Sequence, residues 1–453
     1  MLGLIRNEQW REILKVAAPV VISKLSFTMM GLVDTAMVGR IGASEQAAVG
    51  IATTYMFTLY VFGLGLIGVV NTLVSQNDGA GNRMKCGAIL GHGLRLATIV
   101  GAVTWLILFY SEPLFTVVGL SEEVARFGYG YLLFRIIGLF GVFWYWTYNA
   151  FMEGIGDTRT PMWITIGGNV VNIILDYVLI FGLGPIPAMG VEGAGLATAM
   201  CNLFILACFI GITHRRRTVY VTKYGANRLL AIYEPALIRR MLFLGFPMGL
   251  QFLMEVGAYL FFSVVVGWVG DIALAANQVT IRVTSISFMV AFGIGVASTT
   301  LVGRHQGQQR SDLALMAGRR TIKLMLGYSL LCGLCFVCLP GLLAGVFTPF
   351  QEVAETTVSL LYLAAIFQIF DGINMVGYAA LRGAGDTKWP LWVVILVHWF
   401  IGVPLVYLLT IVVGYGVFGT WMAMSIMMIF QAALIYYRFE SGTWKQIRLV
   451  ETT

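Results

Sequence analysis

The chain has 453 residues, 58% of them hydrophobic and 11% charged, with a formal net charge of +7. Soluble domains run near about 45–50% apolar and about 25% charged, so this composition excludes an ordinary soluble enzyme. A mean hydropathy of +0.84 over the whole length also excludes a soluble domain hung on one membrane anchor, and the 53 glycines follow no collagen-like period.

The N-terminal ten residues, Met1 to Trp10, carry mixed charge and no apolar core before a small-residue cleavage site, so no cleaved signal peptide is expected. Apolar stretches long enough to span about 30 Å of hydrocarbon then recur near 14–39, 47–75, 88–110, 129–152, 162–184, 190–213, 241–267, 273–302, 321–343, 356–380, 391–413 and 416–437. Only helices and closed barrels satisfy their backbone groups in lipid. The alternating ten-residue pattern of barrel strands is missing. The sequence therefore predicts an all-α membrane protein with about twelve transmembrane helices.

Lys and Arg crowd the loops of one side. Arg83, Lys85, Arg159, Arg215, Arg216, Arg217, Lys223, Arg228, Arg304, Arg310, Arg319, Arg320, Arg382 and Lys388 fall there, as do both termini, whereas Arg40 and Arg126 stand alone opposite. The positive-inside rule then puts both termini of a multi-pass membrane protein in the cytoplasm. The positive charge orients helices, so nucleic acid is not an expected partner; lipid is.

The chain also repeats itself. Gly39 and Gly42 match Gly267 and Gly270, Pro19 matches Pro247, and Leu73 to Gly79 echoes Leu301 to Gly307, all at an offset of 228. At 229, Gly154-Ile-Gly156-Asp157-Thr158 echoes Gly383-Ala-Gly385-Asp386-Thr387. An even helix number per repeat preserves sidedness, which gives two parallel six-helix repeats: an N-lobe over 1–213, a cytoplasmic linker over 214–240, a C-lobe over 241–437 and a cytoplasmic tail over 438–453. Such duplication is the architecture of alternating-access carriers.

These residues resemble the multidrug and toxic compound extrusion (MATE) transporters along essentially the whole chain. The likeness rests on Pro19, the run Gly31-Leu-Val-Asp34-Thr-Ala-Met-Val-Gly39, the paired Gly-Asp-Thr loops, Asn169-Val-Val-Asn172-Ile-Ile-Leu-Asp176, Gly245-Phe-Pro247, Glu255, and Gln368-Ile-Phe-Asp371 leading to Leu381-Arg-Gly383. Glu255 and Asp371 look like the NorM branch, and Asp176 with Asn172 like the acidic N-lobe pocket of the DinF branch. The resemblance implies a V-shaped pair of lobes, Glu255 and Asp371 in one C-lobe cavity, and export of small organic, often cationic, compounds in exchange for Na+ or H+, without a cofactor and without enzymatic chemistry. A monomer is expected. A lipid-linked oligosaccharide flippase of the same superfamily and a membrane-embedded proton-pumping subunit are the alternatives.

Residue chemistry points to the same places. A charge at mid-bilayer costs about 2.5–3.5 kcal/mol on insertion scales, so Asp34, Asp176, Glu255 and Asp371, all inside predicted spans, need partners, protons or ions. Lys24, Arg135 and Arg282 could neutralise some of them but not all four. Asn172 and Asp176 share a helix face at i and i+4, as Gln368 and Asp371 do at i and i+3. Gln278, with Asn277, and Asn169 are further cavity candidates, and Na+ at Glu255 and Asp371 is the only metal expected. Pro19 and Pro247 can bend their helices, and in the resembled family a bend in the first helix is tied to gating. His398 is either a proton relay or a hydrogen-bonded core histidine. The Cys332, Cys335, Cys338 triplet and the Gly63-x-Gly65-x-x-Gly68 motif lie in apolar helix, where small residues for packing explain both.

Overall fold

The computed structural model describes residues 2–117, 121–226 and 233–450, so that 227–232, with Arg228 of the expected linker, and the last residues of the expected tail lie outside it. Among the described residues twelve helices are long and apolar enough to cross a membrane. They are α1 (Leu2–Val38), α2 (Ala43–Gly79), α3 (Arg83–Phe109), α4 (Glu122–Gly154), α5 (Arg159–Phe181), α6 (Gly190–Arg215), α7 (Pro235–Gly267), α8 (Asp271–Gly307), α9 (Ser311–Cys338), α10 (Gln351–Ala384), α11 (Lys388–Val412) and α12 (Gly416–Ser441). Without water to bond a free amide or carbonyl, each crossing keeps its backbone hydrogen bonds inside its own helix.

The internal repeat is visible in the helix boundaries. Helices α2 and α8 have 37 residues each and begin and end 228 positions apart. Both are about two-thirds buried, more than any other span, and each is the central helix of its half. Gly81 turns the chain after α2 at φ 82°, and at the equivalent place after α8 Gln309 takes φ 59°, a left-handed conformation that a side chain adopts at a cost.

The chain divides into two compact units, Met1–Val21 with Leu250–Thr453, and Ile22–Gly249. These are not the lobes expected at 1–213 and 241–437. The chain passes between units inside α1 and inside α7, two residues beyond Pro19 and Pro247, and the two crossing points are again 228 apart. In the C-terminal unit Ile13, Val16 and Ala17 of α1 pack in one core with Phe262, Val283, Ile294 and Leu381. In the N-terminal unit Gly245 and Gly249 of α7 lie against the backbone oxygens of Leu66 and Phe62. A proline inside a helix loses one backbone hydrogen bond and loosens the turn before it, which suits a place where one helix serves two units.

Each unit is strapped at its loop end. Beyond α6, the segment 218–226 buries Tyr220, Tyr224 and Ala226; the Tyr220 hydroxyl donates to Asp157, and that of Tyr224 to Asp78 at 2.9 Å. Burial pushes the Tyr220 phenol up, to about 12, so it remains a donor at neutral pH. Beyond α12, the segment 442–450 buries Trp444 and Leu449, Gln306 donates to the carbonyls of Lys445 and Ile447 at 3.2 Å, and Arg438 bonds Asp386 at 2.8 Å. Asp78 and Gln306, and Asp157 and Asp386, are equivalent positions of the repeat. Residues 218–226 of the expected linker are thus a structural piece of the N-terminal unit.

Close approach of backbones sets the fifth and sixth helices of each half. A Cβ on Gly193 would stand 2.4 Å from the Leu179 carbonyl oxygen, and one on Gly419 would stand 2.5 Å from that of Leu409. Backbone cannot yield as a flexible side chain can, so Gly193→Ala and Gly419→Ala are each expected to destabilise by about 1–3 kcal/mol. Gly211→Ala, with nothing within 4 Å, is expected to be neutral. Thermal unfolding of the three purified variants in detergent checks this.

Candidate functional site

Helices that line a polar interior in lipid are patterned inside out, and α5 shows it. Asn172 and Asp176 are completely buried, while Val170, Ile173, Ile174 and Tyr177 between and beside them are exposed. Asp34 of α1 is 4% exposed and accepts from the Thr198 hydroxyl of α6 at 3.1 Å. Asp34 and Asp176 are close enough to act on each other's charge, and Arg135 of α4 acts on both. Arg135 is itself held by the Tyr131 hydroxyl at 2.6 Å. One oxygen of Asp34, both of Asp176 and both polar atoms of Asn172 find no hydrogen-bond partner in the protein. Buried polar groups are rarely left so; this arrangement can hold a proton or a small cation between two carboxylates.

Asn169, expected beside them, spends its amide elsewhere, donating to the backbone oxygen of Ser26 at 2.5 Å and to its hydroxyl at 2.6 Å. It ties α5 to α1.

Among the described residues the N-terminal unit holds a third buried acid, which falls just beyond the span 129–152. Glu153, 6% exposed, accepts from Asn149 at 2.9 Å and faces Lys24 and Asn71. Lys24 is therefore directed at Glu153 rather than at the Asp34–Asp176 pair. The repeat held the signal: at the offset of 229, Glu153 corresponds to Arg382, a second charge at the same depth.

In the C-terminal unit two polar stripes face inward. On α7, Gln251, Glu255 and Tyr259 follow one another at four-residue spacing. On α10, Gln368, Asp371, Asn374, Tyr378 and Arg382 are spaced three, three, four and four, one face of a helix, and all five are buried. Asp371 is 8% exposed, and Glu255 and Asp371 act on each other's charge and on Tyr259. Both polar atoms of Gln368, both of Gln431 on α12 and the Tyr378 hydroxyl lack a hydrogen-bond partner.

The remaining candidates separate. Gln278 is exposed, and its neighbour Asn277 is buried, accepting from the Trp421 indole at 3.0 Å. Arg282 is exposed and partners no buried acid. His398 lies in the wide π turn Ile395–Gly402 of α11, fully buried, with its ring edge-on to Tyr259. Gly63, from the glycine motif, packs a helix face against Phe143. Cys335 and Cys338 are exposed on α9.

Comparison with known proteins adds to this geometry. The model of the MatE family matches residues 19–178 and 247–408, starting at the two equivalent prolines. A probable multidrug resistance protein NorM of Rhodopseudomonas palustris is 32% identical over 448 residues, 97% of this chain and 94% of that protein. One from Bradyrhizobium diazoefficiens is 30% identical over 438 residues, 95% of this chain and 93% of that protein. Among solved structures, a MOP-superfamily transporter from Pyrococcus furiosus, for which a reversed polarity of the binding pocket is described, superimposes with a TM-score of 0.88 at 20% identity over 97% of both chains. A eukaryotic MATE transporter does so with a TM-score of 0.86 at 18% identity, again over 97% of both; at such identities the likeness is one of fold. The two-part match across both halves, the full-length bacterial relatives and the twelve-helix fold together place this chain in the MatE family of membrane transporters.

Proposed function

We propose that the protein exports small organic, often cationic, compounds from a bacterial cytoplasm across the inner membrane, exchanging them for Na+ or H+ by alternating access. It works as a monomer with both termini in the cytoplasm. The reading is carried by one observation above the rest: in each unit two carboxylates inside the spans act on each other's charge with only one arginine near them. Two such acids titrate as a pair and hold one proton or one monovalent cation between them. An organic cation competes for the same charge, which is direct exchange. Excess acid also argues against the lipid-linked oligosaccharide flippase, whose diphosphate cargo needs basic residues. The multidrug resistance relatives, at 30–32% identity over nearly the whole chain, support the drug-exporting reading.

Coupling is assigned to Glu255 and Asp371, with Gln368 as a neutral ligand one turn away. Asp34, Asp176 and Asn172 form a second, similar site, and Pro19 and Pro247 mark the places where α1 and α7 bend. The deciding experiment is reconstitution in liposomes, with a Na+ or an H+ gradient as the only drive for ethidium or norfloxacin exchange. Exchange driven by neither gradient, or transport of anionic diphosphate lipid without cationic dyes, would sink the proposal.

Two further outcomes are expected. Asp371→Asn removes gradient-driven efflux while the protein still inserts at normal level, and Asp176→Asn leaves measurable activity. Ethidium uptake into everted vesicles checks this; the reverse pattern moves coupling to the other pair. For orientation, a fusion reporter placed after Glu440 is expected to read cytoplasm and one near Glu192 the outside, and the opposite signal at either site breaks the assignment.

A further inference from the structure

Arg382 is an outlier. It is 7% exposed, yet among the described residues it forms no ion pair. Its guanidinium donates through Nη2 to the Gln251 side-chain oxygen at 2.9 Å and lies 4.4 Å over the Phe252 ring, and its Nε has no partner. A buried charge left without an opposite charge costs several kcal/mol, and a cation–π contact with one hydrogen bond offsets only part of that. The balancing charge is in the same interior. Glu255 stands one helical turn from Gln251 on α7, and the charges of Glu255 and Arg382 act on each other.

The repeat sharpens the point. At the equivalent positions of the N-terminal unit stand Glu153 for Arg382 and Lys24 for Phe252. There the base acts on the charge of the acid. In the C-terminal unit the sign at the inner position is reversed and its partner has become an aromatic ring, so the arginine's charge is left for the cavity. Other charges of this unit are spent elsewhere. Asp386 pairs with Arg438, Glu440 with Arg319 and Glu12 with Arg304 at the loop ends, while Arg282, Lys323, Lys388 and Asp312 are exposed.

We propose that Arg382 is a tethered counter-cation of the Glu255–Asp371 site, a positioning residue that fixes the empty cavity at one net negative charge and thereby sets its capacity at a single monovalent cation. The proposal rests on the reading that these two acids bind the driving ion. With both acids ionised, Arg382 neutralises one of them and the transported cation the other. Before the cation arrives, Arg382 leaves one carboxylate rather than two unbalanced in a low-dielectric interior. It also weakens the site enough that the cation can leave again.

The test compares single and paired substitutions by titrating purified protein with Na+ at fixed pH and, in Na+-free buffer, with acid, following tryptophan fluorescence and proton uptake. Glu255→Gln leaves Asp371 and Arg382 to cancel each other and should abolish cation binding. Adding Arg382→Met restores one net negative charge, so the double variant should bind again, within about tenfold of the unsubstituted protein. Arg382→Met alone should bind its cation at least about tenfold more tightly and release it more slowly, whereas Arg382→Lys should stay close to the unsubstituted protein. A double variant that binds no better than Glu255→Gln overturns the proposal, as does a lysine variant as altered as the methionine one, since either marks a purely structural clasp. Because binding is read without transport, intact efflux in Asp371→Asn would remove the C-lobe coupling assignment and leave this test to decide the role of Arg382 by itself.

Discussion

Everything in this protein answers to one constraint: inside a bilayer a charge must find its opposite, because water is not there to stabilise it. Desolvating an ion costs several kcal/mol even after the protein relaxes, so each buried acid has either a resident base or an occupancy that comes and goes. Asp386 has the first kind of answer in Arg438, and Lys24 acts on the charge of Glu153. Asp34, Asp176, Glu255 and Asp371 outnumber the bases left to them, and the proposed transport role rests on that imbalance. The same constraint explains why the acids sit on helices whose outer faces are uniformly apolar.

The two halves share a fold but not a chemistry. Helix ends, paired glycines and strapping segments repeat at nearly constant offset, whereas the acids do not. Asp34 corresponds to Phe262, Glu255 to Phe27 and Asp371 to Val142, and no acid occurs over 405–408, where the equivalent of Asp176 falls. Each half placed its carboxylates on a different part of the same scaffold. Helix α11 shows how the scaffold absorbed the change: it spans 25 residues where α5 spans 23, and its extra length is taken up in the π turns Ile395–Gly402 and Leu408–Val412. Such turns often accompany functional sites, and one of them carries the buried imidazole of His398.

Much of this was legible in the sequence, for physical reasons. Twelve spans follow from hydropathy because lipid permits so few backbone solutions, and the offset of 228 fixed both repeat and equivalences before any coordinates. Asp34 with Asp176 and Glu255 with Asp371 were readable because an ionisable residue in a span is costly enough to be conspicuous. What escaped is tertiary. Nothing local in Gln278 says that it points outward while Asn277 turns in to Trp421. Asn169 stood with the acids through the motif that carries the family resemblance, and its bond to Ser26 depends on how α1 leans on α5. Glu153 was missed because a hydropathy window ends one residue early. The unit boundary inside α1 and α7 has no compositional mark beyond two prolines, which also occur at ordinary helix starts.

That boundary carries a consequence for how the protein is made. Synthesis proceeds from the N-terminus, and the N-terminal unit runs from Ile22 to Gly249, so it is incomplete until the first part of α7 has left the ribosome. Met1–Val21, the first segment to emerge, belongs to the unit finished last. For most of translation it has no core to join. Neither half gene would therefore encode a self-sufficient lobe, because each would carry the opening segment that completes the other. A chain interrupted between the straps would regain its units only if both fragments were inserted together and traded those segments, an exchange that the duplicated ancestor could have carried out between two separate copies.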